Sequence, residues 1–277
     1  MKKRLPMLLL LPALLLTSCA GGELSEEKSN ELKAGIAEKA KDLKNYELLI
    51  TSDGQVYDED EGKNVASTAR YEYRVNEDGD RYVRSFATQG VQKSDSTVYL
   101  VNNAEYQQVL YTNTYDAEEK KNVQACYGYE GNELTFAFAS LYFIVPEGYL
   151  EMFVDASGFE ALEEGMKEDG EEYKVSTKYY SSGEGNLTVK ISASLKGEVK
   201  KDEEEKTVSA NYTVEYQDYL FKSAKMSGKS SKGNNSTTEI YLTPKSSKIA
   251  SELPAGWQDI INAESDSGFD DGGLLDL

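Results

Sequence analysis

Strict alternation of apolar and polar residues dominates this chain. Leu187, Val189, Ile191, Ala193 and Leu195 alternate with Thr188, Lys190, Ser192 and Ser194. Val208, Ala210, Tyr212, Val214 and Tyr216 alternate with Ser209, Asn211, Thr213 and Glu215, and Ala69, Tyr71, Tyr73 and Val75 oppose Thr68, Arg70, Glu72 and Arg74. A period of two with one apolar face describes antiparallel strands, dry on one side and wet on the other. Such runs predict strands near 46–51, 66–76, 80–88, 96–101, 105–113, 123–129, 173–180, 186–196, 206–217 and 219–227, with a last one at 237–242. Turn residues fall between them. Asn76-Glu77-Asp78-Gly79, Ser182-Gly183-Glu184-Gly185 and the stretch from Gly228 to Asn235 each mark a hairpin.

Two segments depart from this period. Over 23–44, Leu32, Ile36, Ala40 and Leu43 recur at three- and four-residue spacing, which predicts an amphipathic helix with Ser25 as its N-cap. Residues 134–166 are the most apolar stretch after the leader, and Phe159, Leu162 and Met166 keep helical spacing. Pro146 and Gly148 argue against one continuous helix there, so one or two short helices are expected, lying over the buried face of the sheet. The fold class that follows is mainly β (α+β): a single curved antiparallel sheet, or half-open barrel, with both helical segments on its concave face.

The start of the chain changes the picture from fold to location. Lys2, Lys3 and Arg4 precede an apolar run from Leu5 to Leu16, which ends in Leu16-Thr17-Ser18-Cys19. A basic start, a short apolar stretch and small residues describe a secretory signal peptide over 1–18, too short for a spanning helix. The last four residues resemble a bacterial lipobox, in which the cysteine thiol receives diacylglycerol and becomes the new N-terminus. Cys19 is therefore the expected lipid attachment, 19–24 a spacer, 25–262 a single β-rich domain and 263–277 an acidic, disordered tail. The expected location is outside the cytoplasm, anchored to the bacterial cell membrane.

Charge narrows the partners. The formal net charge is −19, and loss of the leader removes three cations and no acid, leaving −22. Such a surface repels nucleic acid, so the membrane is to be reached through lipidated Cys19 alone. The only other cysteine, Cys126, sits in a strand-like run and reads as a small buried hydrophobe. There is no histidine, which excludes Ser-His-Asp and Cys-His catalysis and histidine zinc sites. Asp58-Glu59-Asp60-Glu61-Gly62 lacks calcium-loop spacing and reads as a solvated hairpin tip. No cofactor, no metal and no enzymatic activity are expected. Lys222, Lys225, Lys229, Lys232, Lys245 and Lys248 form a local reversal of charge, which reads as a guard on a strand edge, or else as a basic surface for lipid headgroups.

A lipid-anchored cysteine, an amphipathic helix, and a many-stranded sheet interrupted by an apolar helical segment come in an order that resembles the superfamily of the LolA and LolB lipoprotein carriers and the mycobacterial LppX and LprG lipoproteins. The resemblance covers roughly residues 25–245 and is architectural. It implies a LolA-like domain whose gap between sheet and helices holds acyl chains. On the residues themselves, Phe136, Phe138, Leu141, Phe143, Met152, Phe153, Phe159, Leu162 and Met166 are the candidate cavity lining. Two functions stay open: a monomeric envelope lipoprotein that binds or relays a lipid, glycolipid or acylated protein, and a structural or interaction lipoprotein with a filled core.

Overall fold

The computed structural model describes residues 22–58, 62–129, 133–159, 173–196 and 206–266. The leader with Cys19, the acidic tip at 59–61, Leu162, Met166 and the tail from 267 lie outside the described residues. Among those described, eleven strands form one antiparallel sheet that does not close. The first six are β1 (Tyr46–Asp58), β2 (Lys63–Val75), β3 (Arg81–Gln89), β4 (Gln92–Asn103), β5 (Gln107–Asp116) and β6 (Lys121–Tyr129). The others are β7 (Tyr173–Gly183), β8 (Asn186–Leu195), β9 (Thr207–Gln217), β10 (Leu220–Ser230) and β11 (Asn235–Pro244). Their spatial order is β6-β5-β4-β3-β2-β1-β11-β10-β9-β8-β7.

The chain thus starts in the middle of the sheet and winds out to β6. It crosses to the far edge at β7 and winds back until β11 lies beside β1, with Tyr46 opposite Pro244 and Ile50 opposite Ile240. An open sheet this wide curves under its own twist. Its concave face carries the alternating apolar residues. Leu187, Val189, Ile191 and Ala193 on β8 are at most 5% exposed, and Leu48, Ile50, Tyr73, Val214 and Ile240 at most 1%.

Two helices cover that face. Helix α1 (Glu26–Ala40) begins at Ser25, whose side chain accepts the Lys28 N–H, as the capping pattern requires. Glu26 and Glu27 in its first turn complement the helix dipole. Ile36 is fully buried among the strand residues, with Leu32 and Leu43 partly buried beside it. Close approach demands glycine at position 35, where an added Cβ would lie 2.6 Å from the Tyr219 ring. Helix α2 (Glu133–Phe153) is the crossover between the two halves of the sheet. It is one helix of 21 residues running through Pro146 and Gly148, not the short pieces the sequence predicts. No described helix is long and apolar enough to cross a membrane.

The convex face has a cover of its own over β3–β6. A 3-10 turn (Ile249–Glu252) and helix α3 (Trp257–Asp266) pack there through Ile249, Leu253, Trp257, Ile260 and Ile261. They meet Tyr82, Tyr99, Val101, Val109, Tyr111 and Cys126, so Cys126 is buried on this outer side. Helix α3 extends to Asp266, into the stretch read from the sequence as tail. It also packs against β6, one of the two edge strands. The other edge, β7, is met by the N-terminal segment: Leu24 N–H donates to the Tyr179 carbonyl at 2.8 Å, and Glu23 bridges to Tyr180.

These edges correct the reading of the lysine-rich stretch. β10, which carries Lys222, Lys225 and Lys229, is an interior strand between β9 and β11. Its lysines stand outward on a solvated face, where Lys225 pairs with Glu239 at 2.7 Å; beyond β11, Lys245 pairs with Glu47 at 2.8 Å. They guard no edge.

Candidate functional site: the crossover helix on the concave face

Helix α2 has two sides of different character. Phe143 (0% exposed) points at the sheet, its ring 5.9 Å from that of Tyr73 on β2. One turn on, Glu147 Oε1 accepts the Tyr73 hydroxyl at 2.7 Å and pairs with Arg81 Nη1 at 2.9 Å. Further along, Phe153 stacks on Phe221 at 5.9 Å and lies 6.2 Å from Phe159. Its carbonyl accepts the Tyr216 hydroxyl at 2.6 Å, and Phe159 meets the Tyr216 ring edge-on. Aromatic side chains thus fill the sheet side of the helix's C-terminal half.

The other side of the helix is apolar as well. Leu141 is 65% exposed, Ile144 62% and Val145 39%. With the exposed Gly148 they recur at i, i+3, i+4 and i+7, one stripe along the helix pointing away from the sheet. Helices that are apolar all round belong in a core, so an open stripe of this kind is unusual for a monomer's surface.

The phenols around the helix are partly or fully withdrawn from water. Burial pushes the Tyr46 phenol up to about 12, partly offset by its hydrogen bond with Tyr73. Burial, together with the neighbouring Tyr46 and the hydrogen bond to Glu147, drives the Tyr73 phenol further up. Burial raises Tyr149, Tyr212 and Tyr216 in the same sense. These are neutral donors in an apolar layer, suited to holding the helix in place.

Of the candidate lining residues, Phe143, Phe153 and Phe159 meet in the concave core, with Met152 packed partly buried against it. Leu141 lies on the open stripe. Phe136 and Phe138 belong to α2, with side chains outside the described residues, as are Leu162 and Met166 altogether. Tyr73, Glu147 and Arg81, which position the helix, were not among the sequence candidates. Glu147 had a signal: it is an acid inside the most apolar segment of the mature chain.

Pockets of about 210 and 230 Å³ lie among the described residues away from α2. The first is walled by Arg70, Glu72, Arg84 and Phe86; the second lies around Gln55, Val56 and the β10–β11 hairpin.

No family model matches the chain, and no curated protein matches it. Solved structures do. A β-barrel-like protein of a domain of unknown function (DUF1849) from Brucella abortus is 9% identical, covering 73% of this chain and 98% of its own, at a TM-score of 0.25. A DUF1329 family protein from Desulfovibrio piger is 13% identical over 82% of this chain and 96% of its own, also at 0.25. A domain from Vibrio parahaemolyticus, described as an outer membrane lipoprotein-sorting protein, is 9% identical over 82% and 96%, again at 0.25.

Proposed function

We propose that this protein is a bacterial cell-envelope lipoprotein, held to the membrane by diacylglyceryl Cys19, that binds or relays a lipid, glycolipid or acylated protein without catalysing a reaction. The observation that supports it best is the exposed stripe of Leu141, Ile144 and Val145 on a helix whose opposite side is locked into the sheet. Burying one large aliphatic side chain is worth about 1.5–3 kcal/mol, so leaving several open is costly unless something covers them. An acyl chain laid along the stripe contributes about 0.8 kcal/mol per buried CH₂. The lipobox-like leader and the pinning of Leu24 to the β7 edge fit a body carried close to its anchor.

The test is uptake of a fluorescent fatty acid and of a fluorescent glycolipid by residues 20–277, made without the leader and Cys19. Wild-type sequence at 141 and 144 should bind. Leu141→Asp with Ile144→Asp should abolish binding and leave the thermal midpoint unchanged, since both side chains are already exposed. No uptake by either protein would overturn the proposal.

A second reading, a structural or interaction lipoprotein, draws on the packed aromatics at the sheet side, where Phe153, Phe159, Tyr216 and Phe221 are at most 3% exposed. In that case the stripe meets another protein. Mass spectrometry of lipids co-purifying with the protein separates the two.

A further inference from the structure

Beyond the leader the chain has four arginines, Arg70, Arg74, Arg81 and Arg84, and all of them fall on β2 and β3, while lysines are spread along its length. Arginine differs from lysine in presenting a planar fork that grips an oxyanion at two points. Three of the four are engaged by the protein's own carboxylates. Arg74 meets Glu252 through two parallel bonds of 2.9 and 2.7 Å. Arg81 meets Glu147 at 2.9 Å. Arg70 gives Nε and Nη2 to a single oxygen of Glu72, at 3.2 and 2.8 Å. Arg84 is the exception: among the described residues no carboxylate stands within ion-pair distance of it.

Register places these groups together. Arg70 lies opposite Phe86 and Glu72 opposite Arg84 across the β2–β3 ladder, so all four side chains share the convex face. They wall the pocket of about 210 Å³, open to solvent on the far side of the sheet from α2. Lys93 stands above the Phe86 ring, 5.5 Å from its centroid, with its charge matched by Asp95 at 3.6 Å. Within the pocket two guanidiniums face one carboxylate, a positive balance on a protein whose net charge is −19. We infer that this pocket is a binding site for a small oxyanion, a phosphate or carboxylate group, which Arg84 and Arg70 grip while Phe86 packs against the attached apolar or aromatic portion. The site lies on the opposite face from the lipid stripe and does not depend on it.

The test uses residues 20–277, the mature chain without the lipidated Cys19, and reads the arginine Nε–H signals by nuclear magnetic resonance during titration with inorganic phosphate, phenyl phosphate and benzoate. The signals of Arg70 and Arg84 should shift saturably, those of Arg74 and Arg81 should stay, and phenyl phosphate should bind more tightly than phosphate. Arg84→Gln should weaken binding by at least about tenfold, and Arg84→Lys should not restore it, because a point charge does not replace the fork. Lys190→Gln, which removes a cation elsewhere on the sheet, should change nothing. A uniform drift of all four arginine signals, or equal affinity in Arg84→Gln, would overturn the assignment. Vesicles of phosphatidylglycerol identify the source: Arg84-dependent sedimentation points to a lipid headgroup, and sedimentation indifferent to Arg84 alongside Arg84-dependent phenyl phosphate binding points to a soluble anion.

Discussion

Glu147 on α2 accepts a 2.7 Å hydrogen bond from the hydroxyl of Tyr73 on β2, and the same carboxylate oxygen holds Arg81 on β3. One acid therefore fixes an otherwise apolar crossover helix at a single height on the sheet. Hydrophobic burial alone is non-directional and would let the helix slide. Pro146, immediately before this acid, removes one helical hydrogen bond and costs up to about 3 kcal/mol in a free helix. The pin and the burial of Phe143 and Phe153 offset that cost, which explains why the helix does not break.

Removing the pin should loosen α2 more than the sheet. Glu147→Ala leaves a buried donor on Tyr73 without its acceptor, a loss of about 1–3 kcal/mol. Tyr73→Phe removes the donor too and leaves Glu147 with Arg81, so it should cost less, near 1 kcal/mol. Hydrogen exchange at residues 141–153 should accelerate in Glu147→Ala while β8 and β9 stay protected. Equal losses in both variants, or unchanged exchange in α2, would show that packing alone sets the helix.

Stability should fall at high pH for a reason that can be assigned. The Tyr46 phenol titrates near 10 in an unfolded chain and is pushed up to about 12 by burial in the fold. Between those values the unfolded state gives up the proton and the folded state keeps it, so unfolding becomes easier as pH rises. The contribution is whole below pH 10 and lost by about pH 12, roughly 3 kcal/mol for a two-unit shift. Tyr73 and Tyr216 act in the same direction. Urea midpoints at pH 9 and pH 12 should differ less in Tyr46→Phe than in wild type. The same difference in both would sink the assignment to Tyr46.

The sheet is largely legible in the sequence because its inner residues obey period two. Leu187, Val189 and Ile191 read as buried and are. What alternation hides is a second buried face. Val98-Tyr99-Leu100-Val101 and Val109-Leu110-Tyr111 are unbroken apolar runs, the mark of strands covered on both sides. Their outer residues require a cover, and α3 supplies it. Trp257, Ile260 and Ile261 have helical spacing after Pro254, but the segment is too short to stand out beside longer periodic runs. Strand order was less accessible still. β1 and β11 come from opposite ends of the chain, so no local signal shows that the lysine-rich β10 is interior. At the candidate site, Phe143 and Phe153 were readable as apolar residues on a helix, whereas the roles of Tyr73 and Arg81 depend on contacts far away in sequence.

The outer layer should come off before the sheet unfolds. It is fastened by the Arg74–Glu252 fork, with Arg74 also lying over the Tyr82 ring at 4.0 Å, and by the few apolar residues of the 3-10 turn and α3. Arg74 is only 16% exposed, so Glu252→Ala strands a half-buried cation and should cost about 1–3 kcal/mol locally. Trp257 is the only tryptophan of the chain, so its emission follows this layer alone, while far-ultraviolet circular dichroism follows the eleven strands. In wild type the two urea transitions should lie close together. In Glu252→Ala the Trp257 transition should move to lower urea while the dichroism transition moves little, a separation that marks a departure from two-state behaviour. The newly bared Tyr82, Tyr99, Val101 and Tyr111 should then bind a hydrophobic dye at intermediate urea. If both transitions shift together, the layer is part of one cooperative unit with the sheet and the Arg74–Glu252 pair is not its fastening.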